Sequence, residues 1–205
     1  MERRETPESR LERLTDLFRE KSFKRGTFKL ASGITSRYYF NAKPTLFTAE
    51  GSRLVGELVC DEAARLQATA LGGLMVGAVP IVHAALAVAA ERGLALKGFW
   101  VRKEPKDHGT ERLIEGELEA SDRILIVDDV ITTGNSIRRT VEALAEAGCS
   151  EIAGVCVLLD RRQRSPAESA ELEALGLVSL MDLASFLEAE EIAAMEAEAA
   201  NRPAS

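Results

Sequence analysis

The chain has few aromatic residues, 5% in all, with one tryptophan and only two histidines among 205 residues. With Ala and Leu abundant, this favours helices packed on a sheet over an all-β sandwich. The three cysteines, Cys60, Cys149 and Cys156, form no CxxC pair and no metal-ligand spacing. Each lies in an apolar context, as expected for buried, reduced thiols in a cytosolic protein. The opening Met1-Glu2-Arg3-Arg4-Glu5 has no apolar signal core, so the expected location is cytoplasmic. An excess of positive charge is also missing. The net charge of −7 argues against a general nucleic-acid binder. The one stretch that could pass for a membrane span, Thr69 to Ala90, has His83 as its only ionisable residue but is interrupted by Gly72, Gly73, Gly77 and Pro80. A strand, a glycine loop and a helix account for it better, and no membrane partner is expected. There is no internal repeat and no Pro/Ser linker. The length suggests one domain over 1–205, and 46% hydrophobic residues are ample for its core.

Hydrophobic periodicity predicts a helix over Arg10–Lys21, with Leu11, Leu14, Leu17 and Phe18 on one face. Two short strands around Ser32-Gly33 are expected over Phe28–Phe40. Thr48 is a candidate N-cap for a helix to about Leu66. Next come a strand (Leu71–Val76), a helix (about Ile81–Arg92) and a strand (Leu96–Val101). A polar stretch (Arg102–Glu119) leads to a strand at Arg123–Val127, a helix at Ile137–Ala147 and a strand at Glu151–Leu159. Strands alternating with helices imply an α/β fold with a doubly wound, mostly parallel sheet flanked by helices. Short helical pieces follow. Glu188 to Ala200 carries five Glu among many Ala and is expected to be a solvated helix or frayed tail. His83, on an apolar helix face, is expected in the core or at an interface.

The most informative segment is Ile124-Leu-Ile-Val-Asp128-Asp129-Val-Ile-Thr132-Thr133-Gly134-Asn135-Ser136. Four apolar residues read as a buried strand that ends in two adjacent carboxylates. A small-residue loop then opens an amphipathic helix. Backbone N–H groups at a helix start can cradle a phosphate. Paired carboxylates can accept from sugar hydroxyls or help hold a divalent metal. Receiver domains also carry an acid-tipped strand, but there it comes first and most of the domain follows. Here only 76 residues follow Asp129, too few to finish that fold. A second segment, Val101-Arg102-Lys103-Glu104-Pro105-Lys106-Asp107-His108-Gly109-Thr110, crowds three cations and a histidine into a polar loop. Its charge opposes that of the chain and suits an anionic ligand.

The 124–136 segment resembles the phosphoribosyl-pyrophosphate (PRPP) motif of type I phosphoribosyltransferases. The Arg102–Gly109 pattern, RKE-x-K-x-HG, resembles the catalytic loop of the orotate phosphoribosyltransferase family. Phe28 to Lys43 looks like that family's N-terminal segment, Val76-Gly77-Ala78-Val79-Pro80 like its pyrophosphate loop, and Leu158-Leu159-Asp160-Arg161-Arg162 like the strand end that carries an orotate-binding arginine. The matches run from about residue 10 to 187. The chain departs from the family's common pattern at Ala31, Asn41 and Ala78, where Lys, Asp and Gly are frequent.

The resemblance implies a type I phosphoribosyltransferase fold, with an N-terminal hood over about 1–45 and an acidic C-terminal tail over about 188–205. It implies an enzyme that converts orotate and PRPP to orotidine 5′-monophosphate and pyrophosphate in de novo pyrimidine synthesis. Lys103, Lys106, His108 and Arg102 are then the catalytic residues. Asp128, Asp129, Thr132, Thr133, Gly134, Asn135, Ser136 and Gly77 bind PRPP, with Lys29 and Lys43 the weaker candidates, each as readily an ordinary surface lysine. Arg161, Tyr39, Phe40 and Thr132 bind orotate. Mg²⁺ enters with PRPP rather than in a site made by protein alone, with Asp128 and Asp129 as its candidate contacts. A homodimer with shared active sites is implied, the 102–109 loop reaching into the partner's site. Two other readings remain: a phosphoribosyltransferase for another base, which would not need Arg161 to face a carboxylate, and a PRPP-sensing regulator, which should show a basic face.

Overall fold

The computed structural model describes residues 5–29, 35–104, 113–161 and 166–192. Helix α1 spans Pro7–Lys21, starting three residues before the periodic apolar face. Thr6 Oγ1 accepts from Ser9 N at 3.2 Å, and Pro7 occupies the first turn, where its missing N–H costs nothing. Strands β1 (Phe23–Lys29) and β2 (Thr35–Phe40) form a separate antiparallel pair within the segment expected as the hood. After α2 (Lys43–Leu46), α3 (Ala49–Arg65) begins where Thr48 Oγ1 accepts from Gly51 N at 3.0 Å.

The main sheet is built by β3 (Ala70–Leu74), β4 (Lys97–Val101), β5 (Ile114–Glu115), β6 (Ile124–Ile131), β7 (Ile152–Asp160) and β8 (Leu177–Asp182), in the order β5-β4-β3-β6-β7-β8. All neighbours run parallel except β5 on β4. Helices α4 (Ala78–Glu91), α5 (Asn135–Glu146) and α6 (Pro166–Ala174) connect the strands. Along β6 the side chains alternate between two cores. Leu125 and Val127 join the apolar faces of α1, α3 and α4, whereas Ile124 and Ile126 pack with Ile137 and Leu144 of α5. A parallel strand covered on both faces is apolar at every position, which is why this segment shows no alternation in sequence. The strand order reverses direction between β3 and β6, and in such sheets ligands bind outside the carboxyl ends at that switch point.

Three expectations are corrected and one is narrowed. Strand β6 does not end at Val127. It runs to Ile131 because β7 continues beside it, pairing Val130 with Leu159 and Ile131 with Asp160, so the two acids lie within the strand. Strand β8, expected as helical, is recruited by pairing with the outer edge of β7. Of the two places expected for His83 the core is excluded, since it is exposed on α4, its ring 6.3 Å from that of Trp100. The described start of the C-terminal tail is not merely solvated, since Glu191 forms an ion pair with Arg25 of the hood at 3.0 Å. The three cysteines are buried and unpaired, as expected. Among the described residues, no helix is long and apolar enough to cross a membrane.

Candidate active site

The turn after β3 and the end of β6 meet at the switch point. Gly77, at the start of α4, has no side chain between its backbone and the two carboxylates. A Cβ there would stand 2.5 Å from Asp128 Oδ1 and 2.8 Å from Asp129 Oδ1. The preceding Met75–Val76 peptide bond is cis. Asp128 is buried, 7% exposed, and its Oδ1 accepts from Asp129 N at 2.9 Å. The Ser136 hydroxyl hydrogen-bonds the same carboxylate, yet loss of water, followed by the adjacent charge of Asp129, pushes the Asp128 carboxyl up to about 7. A buried carboxyl so raised, facing the switch point, is a functional-site candidate. Asp129 is less buried. Its Oδ1 accepts from Val130 N at 2.9 Å, and Lys43 Nζ lies 3.5 Å from its Oδ2. Lys43 thus joins the acid pair, whereas Lys29 is exposed at the end of β1.

Thr132, Thr133, Gly134, Asn135 and Ser136 follow in one loop that becomes α5. Thr132, Thr133 and Asn135 are exposed, and Gly134 is buried. Gly134 has φ +78°, a left-handed conformation that favours glycine, and it packs on Leu172 of α6. Its turn aims the first N–H groups of α5, which lack acceptors within the helix, along the loop. Arg138, one turn into α5, braces this loop. Its Nη1 donates to Thr133 O at 2.9 Å and Asn135 Oδ1 at 3.0 Å, and its Nε donates to Glu171 Oε2 at 2.9 Å. The sequence reading passes over Arg138. The available signal is a cation in the first turn of a helix, where the dipole disfavours it unless it has such work to do.

The other expected residues approach from two sides. Arg161, at the end of β7, donates from Nη2 to Tyr38 O at 3.2 Å. Burial lowers its pKa, and the nearby Tyr39 opposes that shift, so Arg161 and Tyr39 share one environment. A carboxylate arriving there would pair with the guanidinium through a fork of donors. Tyr39 itself is 38% exposed and lies beside Phe28, ring centres 5.4 Å apart. Phe40 does not join it. Successive side chains of a strand point to opposite faces, and the Phe40 ring is buried against Phe18 and Phe186, so its ring belongs to the core rather than to an orotate site. Arg102, after β4, donates to Glu104 O at 3.3 Å and lies 3.5 Å from Glu115. Lys103 is exposed, and its carbonyl accepts from Arg139 Nη2 of α5 at 3.1 Å. Lys106 and His108 lie outside the described residues, as does Ala31.

Residues 52–174 match the family model described as phosphoribosyl transferase domain. An orotate phosphoribosyltransferase of Rhodopseudomonas palustris (strain BisB5) is 41% identical over 163 residues, covering 78% of this chain and 87% of the relative. The crystal structure of Mycobacterium tuberculosis H37Rv orotate phosphoribosyltransferase with Fe(III) dicitrate superimposes with TM-score 0.72 at 35% identity, covering 86% of this chain and 98% of that one. The same enzyme's structure with PRPP matches at TM-score 0.65 and 28% identity, over 90% and 94% of the two chains. With likeness of this order along most of its length, the chain belongs to the orotate phosphoribosyltransferase family.

Proposed function

We infer that this chain transfers the phosphoribosyl group of PRPP to orotate, giving orotidine 5′-monophosphate and pyrophosphate in pyrimidine synthesis. The observation that carries this reading is the convergence of Gly77, Asp128 and Asp129 at the switch point of the main sheet, with Arg161 just after β7 of that sheet and bonded to Tyr38, the neighbour of Tyr39 on β2. The carboxylates accept from the ribose hydroxyls. The Thr132–Ser136 loop wraps the 5′-phosphate, and the Gly77 backbone lies along the pyrophosphate. Arg161 takes the orotate carboxylate, with Tyr39 and Thr132 beside the ring. Lys43 is added to the PRPP group because it balances the charge of Asp129.

Bond breaking at the ribose C1 gives an oxocarbenium-like transition state, and the orotate ring nitrogen attacks as its anion. The chain's contribution is to hold the partners in line and to neutralise the departing pyrophosphate. Lys103 and Lys106 act as point charges, Arg102 as a fork of donors, and His108 as a hydrogen-bond or proton donor. The acid pair offers only hard oxygen donors, and no cluster of three or more His, Cys, Asp or Glu among the described residues is placed to hold a metal. That donor set suits Mg²⁺, which keeps waters and binds through one or two carboxylates plus substrate phosphates. Held there by Asp128 and Asp129, it would supply charge neutralisation. A homodimer in which the 102–109 loop of one protomer serves its partner's site, acting in the cytoplasm as one phosphoribosyltransferase unit, completes the reading.

The test is loss of orotate ultraviolet absorbance with PRPP and Mg²⁺, with adenine, hypoxanthine and uracil in parallel. Turnover with orotate alone is expected. Turnover with another base and none with orotate would replace this assignment.

A further inference from the structure

A two-stranded antiparallel ribbon is marginal by itself, so β1 and β2 need something to hold their position over the sheet. Part of that support comes from the far end of the chain. Arg25 on β1 stands directly opposite Tyr38 on β2. Its guanidinium clasps Glu191 through Nε to Oε1 at 3.1 Å and Nη2 to Oε2 at 3.0 Å. Nη2 also donates to Phe186 O at 3.2 Å. Glu191 is held in turn by the Glu188 amide at 2.9 Å, and it accepts from the Tyr38 hydroxyl at 3.4 Å. Arg19 Nη2 ties the adjoining Ser185 carbonyl at 2.8 Å. Below these bonds, Phe186 packs on Phe23 and Phe40, and Phe23 stacks on Tyr38.

Tyr38 is bonded at both ends. Its hydroxyl meets Glu191, and its backbone carbonyl accepts from Arg161 Nη2. The strand next presents Tyr39 on the opposite side. A displacement of β2 would therefore move both the acceptor that orients Arg161 and the aromatic ring beside it. The ion pair itself is partly exposed, with side chains 48% and 26% accessible, and pairs of that kind add little to global stability. Its consequence lies in placement, because a binding constellation tolerates only small displacements of its supporting groups.

We propose that the Arg25–Glu191 pair, acting through Tyr38, positions the orotate subsite, so that the start of the acidic tail is a strap on the hood that sets the affinity for the base. The proposal rests on reading Arg161 as the reader of the orotate carboxylate. Arg25 and Glu191 are positioning residues and touch no substrate.

The test compares the unsubstituted chain with Glu191→Gln, Arg25→Gln and the exchanged pair Arg25→Glu/Glu191→Arg. The Michaelis constants for orotate and for PRPP, the turnover number and the melting temperature are measured for each. Each single variant is expected to raise the orotate KM about tenfold while the PRPP KM and the turnover number stay within about twofold. The exchanged pair restores the ion pair but not the bonds to Phe186 O and from the Glu188 amide, so it should recover the orotate KM in part, and no recovery at all would overturn the proposal. A merely structural pair would lower the melting temperature and shift both constants together, and that result would overturn the proposal. Turnover of orotate by the unsubstituted chain, with an orotate KM indifferent to both single variants, would also overturn it and leave the functional reading intact. No orotate turnover by the unsubstituted chain would overturn both.

Discussion

Gly77 lies against Asp128 so closely that a methyl group on its α-carbon would stand 2.5 Å from the carboxylate Oδ1 and 2.8 Å from that of Asp129. One turn of backbone after β3 and one pair of acids in β6 are thus fitted to each other with no space for a side chain. Gly77→Ala must displace the carboxylates or the turn. A misplacement of this size is expected to lower kcat/KM for PRPP about 100-fold, with the fold retained because the position is half-buried in a surface turn. Steady-state kinetics with PRPP varied checks it, and a loss under about threefold would mean that the acids do not act from this position.

Asp128 makes the free enzyme's stability depend on pH. Its carboxyl is raised from 3.8 to about 7 in the folded chain, by burial first and by the Asp129 charge second. The folded state therefore holds a proton that the unfolded state has released. The stabilisation is fully present below about pH 4 and is lost as the pH rises through about 7. The melting temperature without ligand should fall between pH 5 and pH 8. Asp128→Asn should flatten that fall and raise the pH 8 value, while abolishing turnover. Thermal scans across pH decide it, and an unchanged slope in the variant would assign the pH dependence to other groups.

Arg161 is the specificity prediction. Arg161→Lys keeps the charge but loses the planar fork that matches a carboxylate. It also forfeits the geometry that places one nitrogen 3.2 Å from Tyr38 O. The orotate kcat/KM is expected to fall about 100-fold, the cost of a lost charge-assisted bond or two, with the PRPP KM little changed. An equal loss for both substrates would place Arg161 in general site architecture.

Arg138 should matter for the phosphate. Arg138→Ala removes the bonds to Thr133 O and Asn135 Oδ1 at once. Because the loop they brace is expected to wrap the 5′-phosphate, the PRPP KM should rise about tenfold and the orotate KM should not. Arg138→Lys should recover little, since one ammonium cannot span Thr133, Asn135 and Glu171 together. Full recovery in the lysine variant would reduce the role of Arg138 to charge alone.

Local order was legible in the sequence. The apolar run of β6, the small-residue loop and the amphipathic α5 are contiguous, so composition and spacing were enough to expect a phosphate-binding turn. Thr48 was readable as a cap because its oxygen bonds an amide three residues on. Strand β8 was not readable, because its strand state comes from pairing with β7 and not from its own periodicity. The same holds for the two acids lying within β6 rather than after it, which depends on how far β7 runs alongside.

The sequence by itself determined which chemical groups are available: a glycine before α4, two adjacent acids, a loop rich in hydroxyls and arginines at the strand ends. Only the tertiary structure decided which of them meet. It turned Phe40 into the core and Tyr39 out of it, set Lys43 beside Asp129 across 86 residues, and joined Glu191 to Arg25 across 166. Contacts between distant segments leave no periodic trace in the chain. They arise when the β3/β6 switch point and the packing of the hood bring together surfaces that local propensity does not relate.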